Sequence, residues 1–338
     1  MKMIKRLFAI TGLSALLLAC NLGSFASTPT IDLLATLSAS TPLTGSPSAP
    51  ENPVQTPASS SSIQPTGQIV FTCQVYKIQA SNQICIINAD GTGFRRLTTE
   101  NSLQHYYPSL SPDGRSVIYA AFREPNIFEI YEMQLATGNV TQLTDRIGNL
   151  NGPEISPNGE SIVFKFTKGA SVINEIWIMD RDGKNITNIP NITGWDPTWS
   201  PDGNYILFAS DLDGTIQLYA VRPNGQGLHK VSNLPAIRGR SDMSPDGKYI
   251  VTYSGESWKR EVYIMNADGT NAHVLSPAGG NSQGASFSPD GQWVVFTSYF
   301  DYFGEQNGCE IYIMRLDGTD LRRLTNNDYC DYQPRWGP

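Results

Sequence analysis

From residue 67 to residue 338, short apolar runs alternate with polar turns, and the alternation recurs every 44 or 45 residues. The runs at 116–122, 161–166, 205–209, 249–253 and 293–297 are rich in Val, Ile, Phe and Tyr. Each is too short for a helix and is bounded by turn residues, which marks it as a strand. Many of these runs are apolar at consecutive positions. A strand with one wet face alternates, so these are expected to be buried on both faces. Across a polar loop a second run follows, as at 175–179 and 310–314.

The turns carry the repeat most plainly. Ser-Pro-Asp-Gly stands at 111–114, 200–203, 244–247 and 288–291, and Ser-Pro-Asn-Gly fills the slot at 156–159. Successive serines are 45, 44, 44 and 44 residues apart. The second run ends in an Asp-Gly turn, as at Asp90-Gly91, Asp182-Gly183, Asp268-Gly269 and Asp317-Gly318. Gly accepts positive φ there, and Asp bonds its own backbone. A last strand reads like Arg95-Arg96-Leu97-Thr98 or Arg322-Arg323-Leu324-Thr325. Four strands in a period of this length make a propeller blade. The repeat enters part-way through a blade, at Gly67-Gln68-Ile69-Val70-Phe71, and its last segment, 333–338, matches the missing first strand as it reads at 196–201. The expectation is an all-β, six-bladed β-propeller over 67–338. The C-terminal strand closes it by joining the N-terminal blade, which leaves no sheet edge open.

Residues 1–66 read differently. Lys2, Lys5 and Arg6 precede an apolar stretch at 7–18 that is too short for a membrane span, as in an export signal ending at residue 20. Leu17-Leu18-Ala19-Cys20 resembles the bacterial lipobox, which implies lipidation at Cys20; a plain signal peptide with an incidental cysteine is the other reading. Residues 21–66 hold 24 Ser, Thr and Pro among 46 and only two charges, Asp32 and Glu51. Such a stretch buries too little apolar surface to order itself and reads as a disordered tether. Its random-coil reach is roughly 35 to 40 Å.

Charge and cysteines narrow the setting. Removing the signal takes away three cations and moves the formal charge from −7 to −10. That balance argues against nucleic acid and against anchoring by a basic patch. Four cysteines remain in the exported part, which in an oxidising compartment suggests disulfides. The strand order favours Cys73–Cys85 and Cys309–Cys330, with a thiolate zinc site as the other reading. Neither a metal nor another cofactor is expected.

The phrases at 261–270 (Glu-Val-Tyr-Ile-Met-Asn-Ala-Asp-Gly-Thr) and at 196–203 (Asp-Pro-Thr-Trp-Ser-Pro-Asp-Gly) closely resemble the TolB-type propeller repeat, and the resemblance covers nearly all of 67–338. It implies a six-bladed, extracytoplasmic protein–protein interaction module. TolB carries an α/β domain ahead of its propeller, where this sequence has the signal and tether. The one Gly-x-Ser-x-Gly string, at 280–284, falls inside the propeller repeat, so no elbow of a separate prolyl-peptidase-type hydrolase domain is expected.

Candidate chemistry is sparse. His105, His229 and His273 form no metal or triad pattern. The Asp of each Ser-Pro-Asp-Gly recurs with the blade and reads as scaffold. Inner strands carry polar residues that line a central channel: Ser109, Glu154, Thr198, Asp242, Ser286 and Arg335, with Tyr107, Gly152, Asp196, Arg240, Gly284 and Gln333 two positions earlier in each. Mutual pairing and a small polar ligand both fit them. Residues that break the repeat are the better guide to a partner. Tyr299, Tyr302, Phe303, Tyr329, Tyr332 and Tyr106 fall on the face that carries the cysteines and are expected to form an aromatic docking patch. The expected function is a non-catalytic, monomeric, lipid-anchored envelope protein that binds a protein partner. The alternative is a carbohydrate-binding or carbohydrate-processing cell-surface propeller.

Overall fold

Strand β1 (Gln68–Gln74) hydrogen-bonds on one side to β2 (Asn82–Asn88) and on the other to β24 (Asp331–Gly337), so the first and last strands share a sheet. β3 (Arg95–Arg96) completes it in the order β24-β1-β2-β3. The register sets Ile69 opposite Trp336 and Cys73 opposite Asp331. The Trp336 indole N–H is fixed on the Thr66 carbonyl at 2.8 Å. In this computed structural model the described residues are 64–76, 81–125, 127–237, 239–300 and 308–338. Cys20, nearly all of the tether, Tyr302 and Phe303 lie outside them.

Three further four-stranded sheets run in sequence order. They are β12 (Trp195–Trp199) with β13 (Ile206–Ser210), β14 (Gln217–Val221) and β15 (His229–Lys230); β16 (Asp242–Met243) with β17 (Tyr249–Ser254), β18 (Glu261–Asn266) and β19 (His273–Val274); and β20 (Gln283–Phe287) with β21 (Trp293–Ser298), β22 (Glu310–Arg315) and β23 (Arg322–Arg323). The remaining strands depart from the expected separate blades and form one eight-stranded sheet. It joins β4 (His105–Leu110), β5 (Ser116–Glu124), β6 (Ile127–Gln134) and β7 (Val140–Gln142) to β8 (Asn149–Ile155), β9 (Ser161–Thr167), β10 (Glu175–Asp180) and β11 (Thr187–Thr193). The link is a single parallel pairing of Phe128 with Asn149. It has a local cause. The short β7 covers only Tyr131–Met133 of β6, so Phe128 N–H is left to donate to the Gly148 carbonyl at 3.2 Å. Gly148 permits that approach, since a Cβ there would meet the Phe166 ring at 2.6 Å.

Both faces of the strands are buried, as the unbroken apolar runs require. Six apolar clusters each draw on two neighbouring four-stranded sets; one packs Ile69, Phe71 and Trp336 against Trp293, Val295 and Ile313. The innermost strands touch in the order β24, β4, β8, β12, β16, β20 and again β24.

The repeated turn explains its own sequence. In Ser200-Pro201-Asp202-Gly203 the Ser hydroxyl donates to the Asp carboxylate at 2.6 Å and accepts from Tyr205 N–H at 2.9 Å, while Gly203 takes φ 71°. The turns also interlock. Pro157, Pro201 and Pro245 lie against Gly203, Gly247 and Gly291, and Pro338 fills the same place against Gly114. The Thr or Ser ending the outer strand caps its neighbour: Thr98, Thr144, Ser232, Ser276 and Thr325 accept from the N–H of Ile84, Ile130, Leu218, Val262 and Ile311 at 2.9–3.0 Å. The two disulfides join Cys73 to Cys85 and Cys309 to Cys330, with Cα separations of 5.8 and 4.5 Å.

Candidate functional site

The channel-lining residues owe their positions to one backbone device. Tyr107, Gly152, Asp196, Arg240, Gly284 and Gln333 all have positive φ, between 38° and 66°. The ladder shifts register there in β4, β8, β12 and β20, as it does in a β-bulge. Pro follows in four of the six (Pro108, Pro153, Pro197, Pro334), and its missing N–H costs nothing where the ladder is already broken. A left-handed non-Gly residue is strained by about 1 to 3 kcal/mol, and such strain persists only where its surroundings enforce it. The sequence shows these residues but not their conformation. The signal was the pair of glycines, Gly152 and Gly284, at equivalent places.

Deeper in the channel the charges partner one another. Glu154 accepts from Thr198 Oγ1 at 2.8 Å and from Trp199 N–H at 2.9 Å, and pairs with Arg335 at 3.4 Å. Asp242 accepts from Ser286 Oγ at 2.7 Å and from Phe287 N–H at 2.9 Å, and lies 3.8 Å from Arg335. Arg335 also donates to the Ser241 carbonyl at 3.0 Å. Burial pushes the Glu154 carboxyl up, opposed by Arg335. Arg240 donates to the Pro108 carbonyl at 3.0 Å and lies 5.5 Å from the Tyr107 ring centre. Burial, helped by Arg335, brings its guanidinium down to about 10. Burial likewise raises Asp196, against the pull of Arg240 and Lys165, and raises Tyr107 to about 12. The space left among Gly152, Glu154, Asp196, Arg240 and Arg335 is about 10 Å³, room for one water. No group of three or more His, Cys, Asp or Glu able to hold a metal occurs among the described residues.

At the cysteine-bearing face the structure brings two of the expected docking residues together. Asn82 accepts from the Tyr332 hydroxyl at 2.9 Å and donates to the Tyr106 hydroxyl at 3.0 Å and to Gln104 at 2.8 Å. Tyr106 packs its ring against Phe128, 5.9 Å away. Half-buried Tyr329 donates its N–H to the Asn327 side chain at 2.7 Å. Tyr299 departs from expectation: at 9% exposure it is not a surface anchor. Its ring lies 5.0 Å from Trp258, and its hydroxyl rests on Cys330, so it supports the patch from below. Asn82, the first residue of β2, and Trp258, between β17 and β18, were missed in the sequence. Beside the second disulfide, buried Asp331 accepts from Asn327 Nδ2 at 2.8 Å, and Glu310 accepts from Asn327 N–H at 2.8 Å. Burial and the Glu310 charge raise Asp331 to about 7.

A family model described as the TolB beta propeller domain matches residues 66–304. The chain belongs to the TolB beta propeller family. An uncharacterized protein of Agrobacterium fabrum is 34% identical over 138 residues, which cover 37% of this chain and 46% of that protein. The Tol-Pal system protein TolB of Francisella tularensis is 30% identical over 120 residues, 35% of this chain and 27% of that protein. The chain thus spans less than half the length of these relatives. The crystal structure of TolB from Acinetobacter baumannii has a TM-score of 0.69 at 25% identity, covering 80% of this chain and 67% of that one. The TolB-like propeller read from the repeat phrases is established by these likenesses.

Proposed function

We propose that this TolB-family propeller is a non-catalytic docking module of the bacterial envelope, lipid-anchored through Cys20, that binds a protein partner on its cysteine-bearing face. In this reading the eight-stranded sheet counts as two blades, and six blades close into a ring through β24. The six two-sided apolar clusters and the seating of Pro338 on Gly114 support that count. One observation carries the functional reading. Glu154 and Asp242 share Arg335 and leave about 10 Å³ in the channel, whereas Asn82 ties half-buried Tyr106 and Tyr332 together on the cysteine-bearing face. A substrate pocket needs several hundred Å³, which the channel lacks, while a protein-docking surface needs presented aromatic area. The Tol-Pal system named for the Francisella relative is consistent with an envelope partner. Tyr302 and Phe303, which lie outside the described residues, belong to the patch as the sequence proposes it.

Alanine at Tyr302 and Phe303 together is expected to weaken partner binding by at least ~2 kcal/mol, about 30-fold, with the melting temperature unchanged. Intact binding with a lowered melting temperature would overturn the assignment. Capture of glycan in place of protein would transfer the face to the carbohydrate-binding alternative.

A further inference from the structure

A second site lies on the cysteine-bearing face, beside the loop that joins β9 to β10. Three residues there depart from the repeat. Trp177, opposite Phe164, stands where the other blades carry Tyr131, Tyr219, Tyr263 and Tyr312, and where the closing sheet has Cys85. Phe166, opposite Glu175, stands where they carry Cys73, Ala121, Ser210, Ser254 and Ser298. Pro190 follows Ile176 by 14 residues, the offset at which Thr98, Thr144, Ser232, Ser276 and Thr325 cap Ile84, Ile130, Leu218, Val262 and Ile311. Proline has no hydroxyl, so this blade lacks the cap.

The lost hydroxyl changes what the neighbouring acid does. Glu129, Gln217 and Glu310 are buried, and they accept from the hydroxyls of Thr144, Ser232 and Thr325 and from the N–H of Arg146, Leu234 and Asn327. Glu175 holds the same place in β10 with no such hydroxyl to meet it. It is half-buried and accepts from the Trp177 indole N–H at 2.8 Å. That bond fixes the half-buried indole and leaves the carboxylate with further lone pairs. Phe166 backs the indole, with 4.4 Å between ring centroids. Both rings and Glu175 line an open cleft of about 610 Å³, within the range of small-ligand sites. Exposed Lys168 and Asn188 add to its polar wall, and Asn188 lies directly opposite Trp177 in the ladder. One anion and one cation balance, so the lining favours an uncharged ligand. The cleft offers a flat ring rimmed by hydrogen-bond donors and acceptors. A pyranose has the matching surface, with C–H groups on its faces and hydroxyls that both donate and accept around its edge.

We infer that this cleft binds an uncharged saccharide, with one pyranose ring on Trp177 and its hydroxyls shared between Glu175 and Asn188. The site uses none of Tyr106, Tyr329 and Tyr332, so it is independent of the docking reading. Cellotriose and chitotriose, whose equatorial substituents leave the ring faces open, are the probes. The full chain has six tryptophans, and its indole ¹⁵N spectrum reports the site once the Trp177 signal is assigned by its loss in Trp177→Tyr. Either trisaccharide should move that signal saturably and leave the other indoles in place. The tighter of the two tells whether the ring carries hydroxyl or acetamido groups. By calorimetry, Trp177→Tyr, which installs the ring of four other blades, should weaken binding about tenfold through lost stacking area. Glu175→Gln, which keeps an acceptor for the indole, should weaken it about fivefold. The inference is overturned by a Trp177 signal that neither sugar moves, by several indoles moving together, by sorbitol binding as tightly as cellotriose, or by full affinity in Trp177→Tyr.

Discussion

Deleting residues 331–338 is expected to lower the melting temperature by at least ~10 °C and to broaden the transition. The segment is β24, paired along β1 from Gln68↔Gly337 to Cys73↔Asp331. It also brings Trp336 into the cluster with Phe71 and Trp293, Arg335 to Glu154 and Asp242, and Pro338 to Gly114. Truncating a large buried ring alone costs about 3 to 5 kcal/mol. Losing Arg335 leaves two channel carboxylates without their cation, a further cost of the same order. Each kcal/mol is worth about 2 to 4 °C in a domain of this size. Trp336→Ala is the milder companion and should give part of the loss. A cooperative melt at the unaltered temperature would show that β24 does not hold the propeller together.

Asp331→Asn is expected to stabilise the protein at pH 8 and to do nothing near pH 4. Burial and the Glu310 charge hold the folded carboxyl at about 7 against an ordinary 3.8. The folded protein therefore keeps a proton that the unfolded chain releases above pH 4. Its contribution to stability is complete below pH 3.8 and is lost as the pH rises through 7. The gap between those values corresponds to on the order of 4 kcal/mol. The amide cannot ionise, and it can still accept from Asn327. Urea melts of both proteins at the two pH values check this. Equal effects at pH 4 and pH 8, or destabilisation at pH 8, would contradict it.

The propeller was legible because its determinants are local and repeated. A Ser hydroxyl that both donates to Asp and accepts from a strand N–H needs its residues at fixed offsets, and Ser200 shows this bonding in space as in sequence. The pairing of β24 with β1 was legible for the same reason, since the start of the repeat carried three strands of one blade and its last segment the fourth. The bridge between β6 and β8 was not, because it depends on the shortness of β7 and on Gly148, neither of which changes the repeat. The docking patch was legible only as a set of aromatic residues. Whether a Tyr is presented or buried depends on its neighbours in space: Trp258 and the Cys309–Cys330 disulfide cover Tyr299, while Asn82 holds Tyr106 and Tyr332 at the mouth.

Docking on the cysteine-bearing face is tested most directly by photo-crosslinking in the native cell. A photoreactive residue at Tyr329, or at Tyr76, which is exposed just past the end of β1 on the same face, is compared with one at Asp268, which lies in an exposed turn on the opposite face. The account predicts that Tyr329 and Tyr76 give a discrete adduct with an envelope protein, lost when Tyr302 and Phe303 are alanine, and that Asp268 gives none. Adducts from Asp268 alone, or from none of the three positions, would contradict it.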